Sequence, residues 1–229
     1  MKLRLARYAT LLQHTPPLEA ESLVRGLLVQ YFFHVSNKAI IEVTGVEPGQ
    51  VPRLNLLAPT VFKGRGRVRV AATTLLGWAN SPFSYRCSYI EARNPRAVIE
   101  IGERTTINNA AVLIAEGAGI HIGARCLIGT EWQVMDTNAH ELELGRRAEA
   151  DSQTRQVVVG DDVFIGSRVT LLKGCRIGNG CVVAAGAMVT PGFEAPPMSI
   201  VAGNPARVVG HVKRAQAAEA AEAAEAATT

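Results

Sequence analysis

The chain has 229 residues, 48% of them hydrophobic and 19% charged, with a formal net charge of +4. That length suffices for one substantial domain with a real core, and the composition excludes wholesale disorder. The positive excess is mild and no basic stripe is interleaved with aromatics, so nothing points to nucleic acid; a local basic pocket for a phosphorylated small molecule stays compatible.

Aromatics make up only 5% of the chain, so the core must be built mainly from Val, Ile, Leu and Ala, and 21 glycines point to many tight turns. The four cysteines, Cys87, Cys126, Cys175 and Cys181, form no C-x-x-C pair. No secretory leader is recognisable, so the expectation is a cytoplasmic protein with reduced thiols.

The first 36 or so residues read as helical. Leu3, Leu5, Tyr8, Leu11 and Leu12 have rough helical spacing, and Pro16 and Pro17 interrupt it. Pro17 is suited to open a second helix, which continues through Leu23 to Phe33 with a broad apolar face. That face is expected to pack on the main domain or a partner subunit, with peripheral membrane contact as the alternative. The apolar stretch Leu27–Val35 is too short to span a bilayer. Residues 1–53 are therefore assigned to an N-terminal helical segment.

From Leu54 the character changes to short β-branched runs separated by Gly and Asn, such as VRVA at Val68–Ala71, IEIG at Ile99–Gly102, IHIG at Ile120–Gly123 and VVVG at Val157–Gly160. An apolar residue then recurs every sixth position: Val159, Ile165, Leu171, Ile177, Val183 and Val189. The same step runs through Ile101, Ile107 and Leu113, and through Ile122, Ile128 and Val134. A six-residue period is neither helical nor a plain alternating strand; it is the period of a parallel β-helix. Each unit is one flat face of a triangular coil, with the apolar residue pointing into a narrow prism and a small residue at the corner. Stacked coils bury one continuous column. The fold class is therefore mainly β, a parallel β-helix over 54–209.

The repeat is interrupted near Ser81–Pro95, near Ala115–Gly119 and, at length, by the charged segment 136–156 (DTNAHELELGRRAEADSQTRQ). A solenoid has no need of such an excursion, and a loop projecting from a rigid column is the usual place for function. Residues 210–229 form an Ala/Glu-rich tail, expected to be a short C-terminal helix or a frayed end.

Of the five histidines, only His140 lies in the excursion, close to Asp136, Thr137 and Asn138. An imidazole suits proton transfer near neutral pH; the other reading is a solvated loop histidine. His121 lies between inward Ile120 and Ile122, and alternation turns it outward. His121 and His140 lack a third partner at convincing spacing for zinc, so no metal is expected. Cys175 and Cys181 fall in the repeat as core or corner fillers. A phosphate-cradling G-x-x-x-x-G-K-S/T, a dinucleotide-binding G-x-G-x-x-G and a serine nucleophile elbow are all absent.

The ordered segments IGERTTINN, IHIGARCLIG, MDTNAHEL, VVVGDDVFIGSRVTLLKGCRIGNGCVVAAGAMVT and SIVAGNPARVV resemble the hexapeptide-repeat acyltransferases. The resemblance covers about Val98–Val209 and is nearest to the sugar O-acetyltransferases of bacterial surface polysaccharide pathways. It implies a left-handed parallel β-helix, a homotrimer with active sites between adjacent subunits, acetyl-CoA along the outside of the coils, and a sugar or glycan acceptor entering from the loop side. It also implies that His140 is the catalytic base. Asp136 and Asn138 match variable polar positions that orient the base or touch the acceptor. Asn108 matches an acceptor-contacting position and Asn109 is its neighbour; a corner asparagine is the alternative for both.

For the coenzyme, the resemblance places Gly166 and Ser167 along the pantetheine arm, with Phe164 where relatives often have tryptophan. Ala185 and Thr190 match positions further up the arm. Pro191 stands where relatives often have lysine, which removes one phosphate contact. Arg207, in GNPAR, matches the adenosine end and is suited to a phosphate, with an exposed terminal arginine as the alternative.

The expected function is thus acetyl-CoA-dependent O-acetylation of a sugar hydroxyl in lipopolysaccharide, O-antigen or capsule synthesis. Three rivals remain: an N-acetyltransferase of a nucleotide-linked amino sugar, a zinc enzyme of carbonic anhydrase type using His121 and His140, and a non-catalytic scaffold.

Overall fold

The computed structural model describes Val24, residues 26–29, Tyr31 and residues 39–213. The first six of these carry helical backbone. The rest of the expected N-terminal helices, and the Ala/Glu-rich tail from 214, lie outside the described residues.

From Ile40 onward the chain winds as a three-faced parallel β-helix. The first face stacks Ile40–Thr44, Arg67–Ala71, Val98–Ile101, Ile120–Ile122, Val157–Val159, Arg176–Ile177 and Glu194–Ala195. The second stacks Asn55–Leu56, Leu75–Leu76, Thr106–Ile107, Leu127–Ile128, Phe164–Ile165, Val182–Val183 and Ser199–Gly203. The third stacks Thr60–Gly64, Ser88–Ala92, Val112–Ala115, Gln133–Met135, Thr170–Leu171 and Met188–Val189. Every pairing within a face is parallel except the last: Ala206–His211 folds back antiparallel on Ser199–Gly203 and covers the open edge of the second face.

The six-residue series maps onto this architecture residue by residue. Val159, Ile165 and Leu171 supply one coil, one to each face, and Ile177, Val183 and Val189 supply the next. All six are buried. Their Cα partners in the coils above and below are again aliphatic, as in Ile101, Ile122, Val159 and Ile177. Trp132, fully buried, fills the corner that Ala111 and Val169 occupy in the neighbouring coils.

The small corner residues have a steric cause. A Cβ on Gly123 would meet the Gly160 carbonyl carbon at 2.6 Å, and one on Gly166 would meet Ala185 N at 2.5 Å. Successive corners stack backbone on backbone, and a side chain pushes them apart. Each turn also demands left-handed backbone, which Arg104, Arg125 and Asp162 adopt at one edge and Ala110, Glu131 and Arg168 at the next.

Two boundaries differ from the sequence reading. The coil starts at Ile40 rather than 54: Ile41 and Val43 sit in register with Val68 and Val70, so this β-branched run continues the apolar column instead of a helix. At the other end the closing strand runs to His211, past 209.

Outward positions on the first face form a ladder. Arg69 bridges Glu42 and Glu100, each at 2.8 Å, and Glu100 reaches His121 Nδ1 at 3.2 Å. The Arg69 hydrogen bond, helped by His121, lowers the Glu100 carboxyl below its ordinary range. His121 is exposed between buried Ile120 and Ile122, as the alternation requires. Cys126, Cys175 and Cys181 are buried free thiols, and burial pushes Cys175 up to about 11, so it is inert as a nucleophile. Among the described residues no helix is long and apolar enough to cross a membrane.

Candidate active site

The excursion 136–156 leaves the column between Gln133–Met135 on the third face and Val157–Val159 on the first. It is a short hairpin fastened at both ends by buried carboxylates. At the exit, Asp136 accepts the backbone N–H groups of Glu116 (2.6 Å), Gly117 (3.1 Å) and Gly119 (2.7 Å), which belong to the corner one coil below. At the return, Asp151 Oδ2 accepts the Asn138 N–H at 2.7 Å and the Lys173 ammonium at 2.6 Å, while Oδ1 accepts the Gln153 N–H at 2.9 Å. Burial alone would raise the Asp151 carboxyl; the Asn138 N–H, the Lys173 ammonium and the Gln153 N–H outweigh it and hold it at about 2. Asp136 also accepts the Arg155 N–H through its carbonyl, which ties exit to return.

His140 sits on this hairpin, paired across it with Ala150. Ala139, just before it, has a left-handed φ of 65°. The Ala139 N–H donates to Thr137 Oγ1 at 2.9 Å. The imidazole is exposed and has no hydrogen-bond partner among the described residues, so both ring nitrogens remain open to a ligand. Beyond it, Arg146 pairs with Glu143 and Glu149 across the tip, and Leu142 and Leu144 are highly exposed.

Two of the sequence-expected acceptor residues are committed elsewhere. Asp136 is fully buried and its carboxylate is consumed by the three corner N–H groups; it builds the loop exit and is not presented to an acceptor. Asn109, also fully buried, accepts the Trp78 N–H and donates to the carbonyls of Trp78, Ser81 and Pro82. It fastens a second excursion, residues 77–87, which carries exposed Trp78, Phe83 and Tyr85. Asn108 is half-buried and its side-chain oxygen accepts the Asn109 N–H. Asn138 is half-buried, with its N–H on Asp151.

The remaining expected positions fall on two edges of the prism. Phe164 is 50% exposed on the second face, directly above Leu127 at 57%, so the two form an apolar wall. Gly166, Ser167 and Ala185 follow it around the edge between second and third faces, where Ser167 Oγ accepts from Thr130. Asn108 lies on this same edge two coils below Gly166. Thr190 and the His140 hairpin belong instead to the edge between third and first faces. Arg207 lies on the closing strand, exposed, with one guanidinium N–H on the Ala206 carbonyl. One chain therefore does not bring His140 together with the Phe164 wall through any contact among the described residues.

The sequence reading missed the Asp151–Lys173 pair. The available signal was Lys173 itself, a cation in a corner otherwise built of Leu172 and Gly174, where burial demands a counter-charge. No group of three or more His, Cys, Asp or Glu suited to a metal occurs among the described residues.

Residues 156–191 match the family model of the bacterial transferase hexapeptide (six repeats), which corresponds to two full coils. Residues 156–191 thus carry hexapeptide repeats. The chain is 35% identical over 101 residues to serine acetyltransferase 4 of Arabidopsis thaliana, covering 44% of this chain and 26% of that protein. It is 43% identical over 60 residues to a 2,3,4,5-tetrahydropyridine-2,6-dicarboxylate N-acetyltransferase of Staphylococcus aureus (strain JH9), covering 26% of this chain and 24% of that one. The chain thus spans about a quarter of the length of these curated relatives. A crystal structure of a polysialic acid O-acetyltransferase superposes with a TM-score of 0.52 at 19% identity, covering 79% of this chain and 90% of that one, and shares the fold.

Proposed function

We propose that the protein is an acetyl-CoA-dependent O-acetyltransferase whose acceptor is a sugar hydroxyl, acting in the cytoplasm within surface polysaccharide synthesis. The observation that carries this reading is an exposed imidazole, His140, held on a fastened hairpin beside hexapeptide coils whose matched relatives are named acetyltransferases. The Phe164–Leu127 wall suits a pantetheine arm, and exposed Ala185, small and stacked on Gly166, leaves room beside it. Arg207 is suited to a coenzyme phosphate.

In this mechanism His140 accepts the proton of the acceptor hydroxyl as its oxygen attacks the thioester carbonyl. The tetrahedral intermediate then collapses to the acetyl ester, and the imidazolium returns its proton to the departing CoA thiolate. Transfer is direct, with no acyl-enzyme. Positioning of two bound substrates supplies much of the acceleration, and the general base adds on the order of a hundred- to ten-thousand-fold. Because His140 and the Phe164 wall lie on different edges, the reading assigns each complete site to two neighbouring copies of a homotrimer, with the left-handed coil sense that the resemblance implies. Exposed Leu142 and Leu144 are the kind of apolar surface such a neighbour covers.

An amine acceptor is the second reading, favoured by the match to an N-acetyltransferase. The test begins with calorimetric titration of acetyl-CoA, then follows CoA thiol release with panels of saccharides and of amino sugars. Release with neutral saccharides, abolished in His140→Ala while acetyl-CoA still binds, supports the O-acetyl reading. Release with amines alone replaces it with the second. Failure of acetyl-CoA to bind at millimolar concentration removes both, and stoichiometric zinc in protein purified without chelator would favour a hydration enzyme.

A further inference from the structure

One of the contacts between the His140 hairpin and the rigid column is ionic. Lys173 belongs to a coil corner, where its carbonyl accepts the Gly192 N–H from the coil above. Asp151 belongs to the excursion. Their side chains meet at 2.6 Å with only 8% and 2% exposure. The same residue holds the chain just before His140 in two ways: its carboxylate Oδ2 accepts the Asn138 N–H, and its backbone N–H donates to the Ala139 carbonyl at 3.3 Å. Thr137 Oγ1 is a further neighbour, at 3.4 Å from Oδ2.

We propose that the Asp151–Lys173 pair is a positioning device for His140, transmitting the place of the coil corner to the imidazole. This rests on the reading of His140 as the base. A buried ion pair contributes little net stability compared with well-packed apolar residues, because desolvation cancels much of the attraction. What it does supply is geometry. An ammonium fixed on the column and a carboxylate whose remaining acceptor sites are filled by backbone N–H groups of the loop admit one loop pose. Catalysis through a general base depends on such a pose, since small misplacements are expensive in rate. The exit carboxylate, Asp136, ties the start of the hairpin to the coil below, and Asp151 ties the same strand to Lys173 through the Asn138 N–H, two residues before His140.

The test uses the full chain with Asp151→Asn, Lys173→Met and Lys173→Arg, each alone and with His140→Ala. Two quantities are read: amide hydrogen exchange across 138–151, and initial rates of thioester cleavage of acetyl-CoA with water as acceptor. Asp151→Asn and Lys173→Met are expected to speed exchange at residues 138–141 tenfold or more while the coil amides stay protected. Both should lower kcat tenfold or more, with the KM for acetyl-CoA within twofold. In the His140→Ala background the same substitutions should change the residual rate less than twofold, because they act through the imidazole. Unchanged loop exchange in Asp151→Asn overturns the proposal, as does an equal fold-loss of rate with and without His140. If Lys173→Met loosens the coils as well, Lys173→Arg decides: recovered loop protection supports positioning, and its failure overturns it. A wild-type rate in His140→Ala removes the base reading instead, a result separate from the exchange measurement.

Discussion

Lys173 Nζ lies 2.6 Å from Asp151 Oδ2, and this contact joins the excursion 136–156 to the corner of the coil that follows it. The Asp151 carboxyl is held at about 2 against an ordinary 3.8. A carboxyl depressed in the folded state contributes stability that is complete above its unfolded value and is lost as pH falls through the folded one. Thermal unfolding of wild type and Asp151→Asn should therefore differ most above pH 4, with the gap closing between pH 4 and pH 2. Near neutrality the substitution should cost about 3–5 kcal/mol, since it leaves the Lys173 ammonium buried without its partner. A gap that persists unchanged at pH 2 would show that the carboxylate charge is not what Lys173 requires.

Corner stacking makes a second prediction. Gly123→Ala places a methyl 2.4 Å from Asp161 Oδ1 and 2.6 Å from the Gly160 carbonyl. Two coils must separate to admit it, at about 1–3 kcal/mol. Gly117→Ala meets only Thr154 Oγ1 at 3.5 Å, an ordinary contact without positive φ, and should stay within about 0.5 kcal/mol. Denaturant unfolding of the pair measures both; equal costs would mean that corner crowding does not limit the repeat.

What was legible in the sequence was the part that repeats. The series Val159 to Val189 marks a buried aliphatic on each face, because the prism interior is sealed from water. The excursion at 136–156 stood out because it breaks that series. Residues whose partners come from another coil were not legible. Asn109 and Asp136 looked like polar groups offered to a ligand, yet each is spent on backbone at sequence separations of 17 to 31 residues. Ile40–Thr44 was hidden for a related reason: ten residues separate it from Asn55–Leu56 in the same coil, so the six-residue step is lost. Asp151 and Lys173, 22 residues apart, meet only once a whole coil has closed.

The role assigned to His140 makes a prediction in rate rather than stability. The side chain is exposed and makes no contact that the fold uses, so His140→Ala should leave the unfolding midpoint within the range of ordinary surface substitutions. Turnover with any productive acceptor should fall by about a hundred- to ten-thousand-fold, with acetyl-CoA affinity unchanged. An equal loss of affinity and rate would place the ring in coenzyme binding instead of proton transfer.

Asn109 separates fastening from acceptor contact. Its side chain holds the 77–87 excursion through the Trp78 N–H and the carbonyls of Trp78, Ser81 and Pro82. Asn109→Asp keeps an acceptor for the Trp78 N–H but sets a carboxylate against three carbonyl oxygens, whereas Asn109→Ala leaves all four backbone groups without the side chain. Each should cost about 1–3 kcal/mol, because buried polar groups lose their partners. Each should also shift Trp78 fluorescence as the excursion loosens, an effect readable beside buried Trp132 by repeating the comparison in Trp78→Phe. The repulsion in Asn109→Asp makes it the more damaging of the two. If both variants instead kept wild-type stability and Trp78 emission while raising the KM for an acceptor, the side chain would be a ligand contact, and the hydrogen bonds to the excursion would not be what keeps it in place.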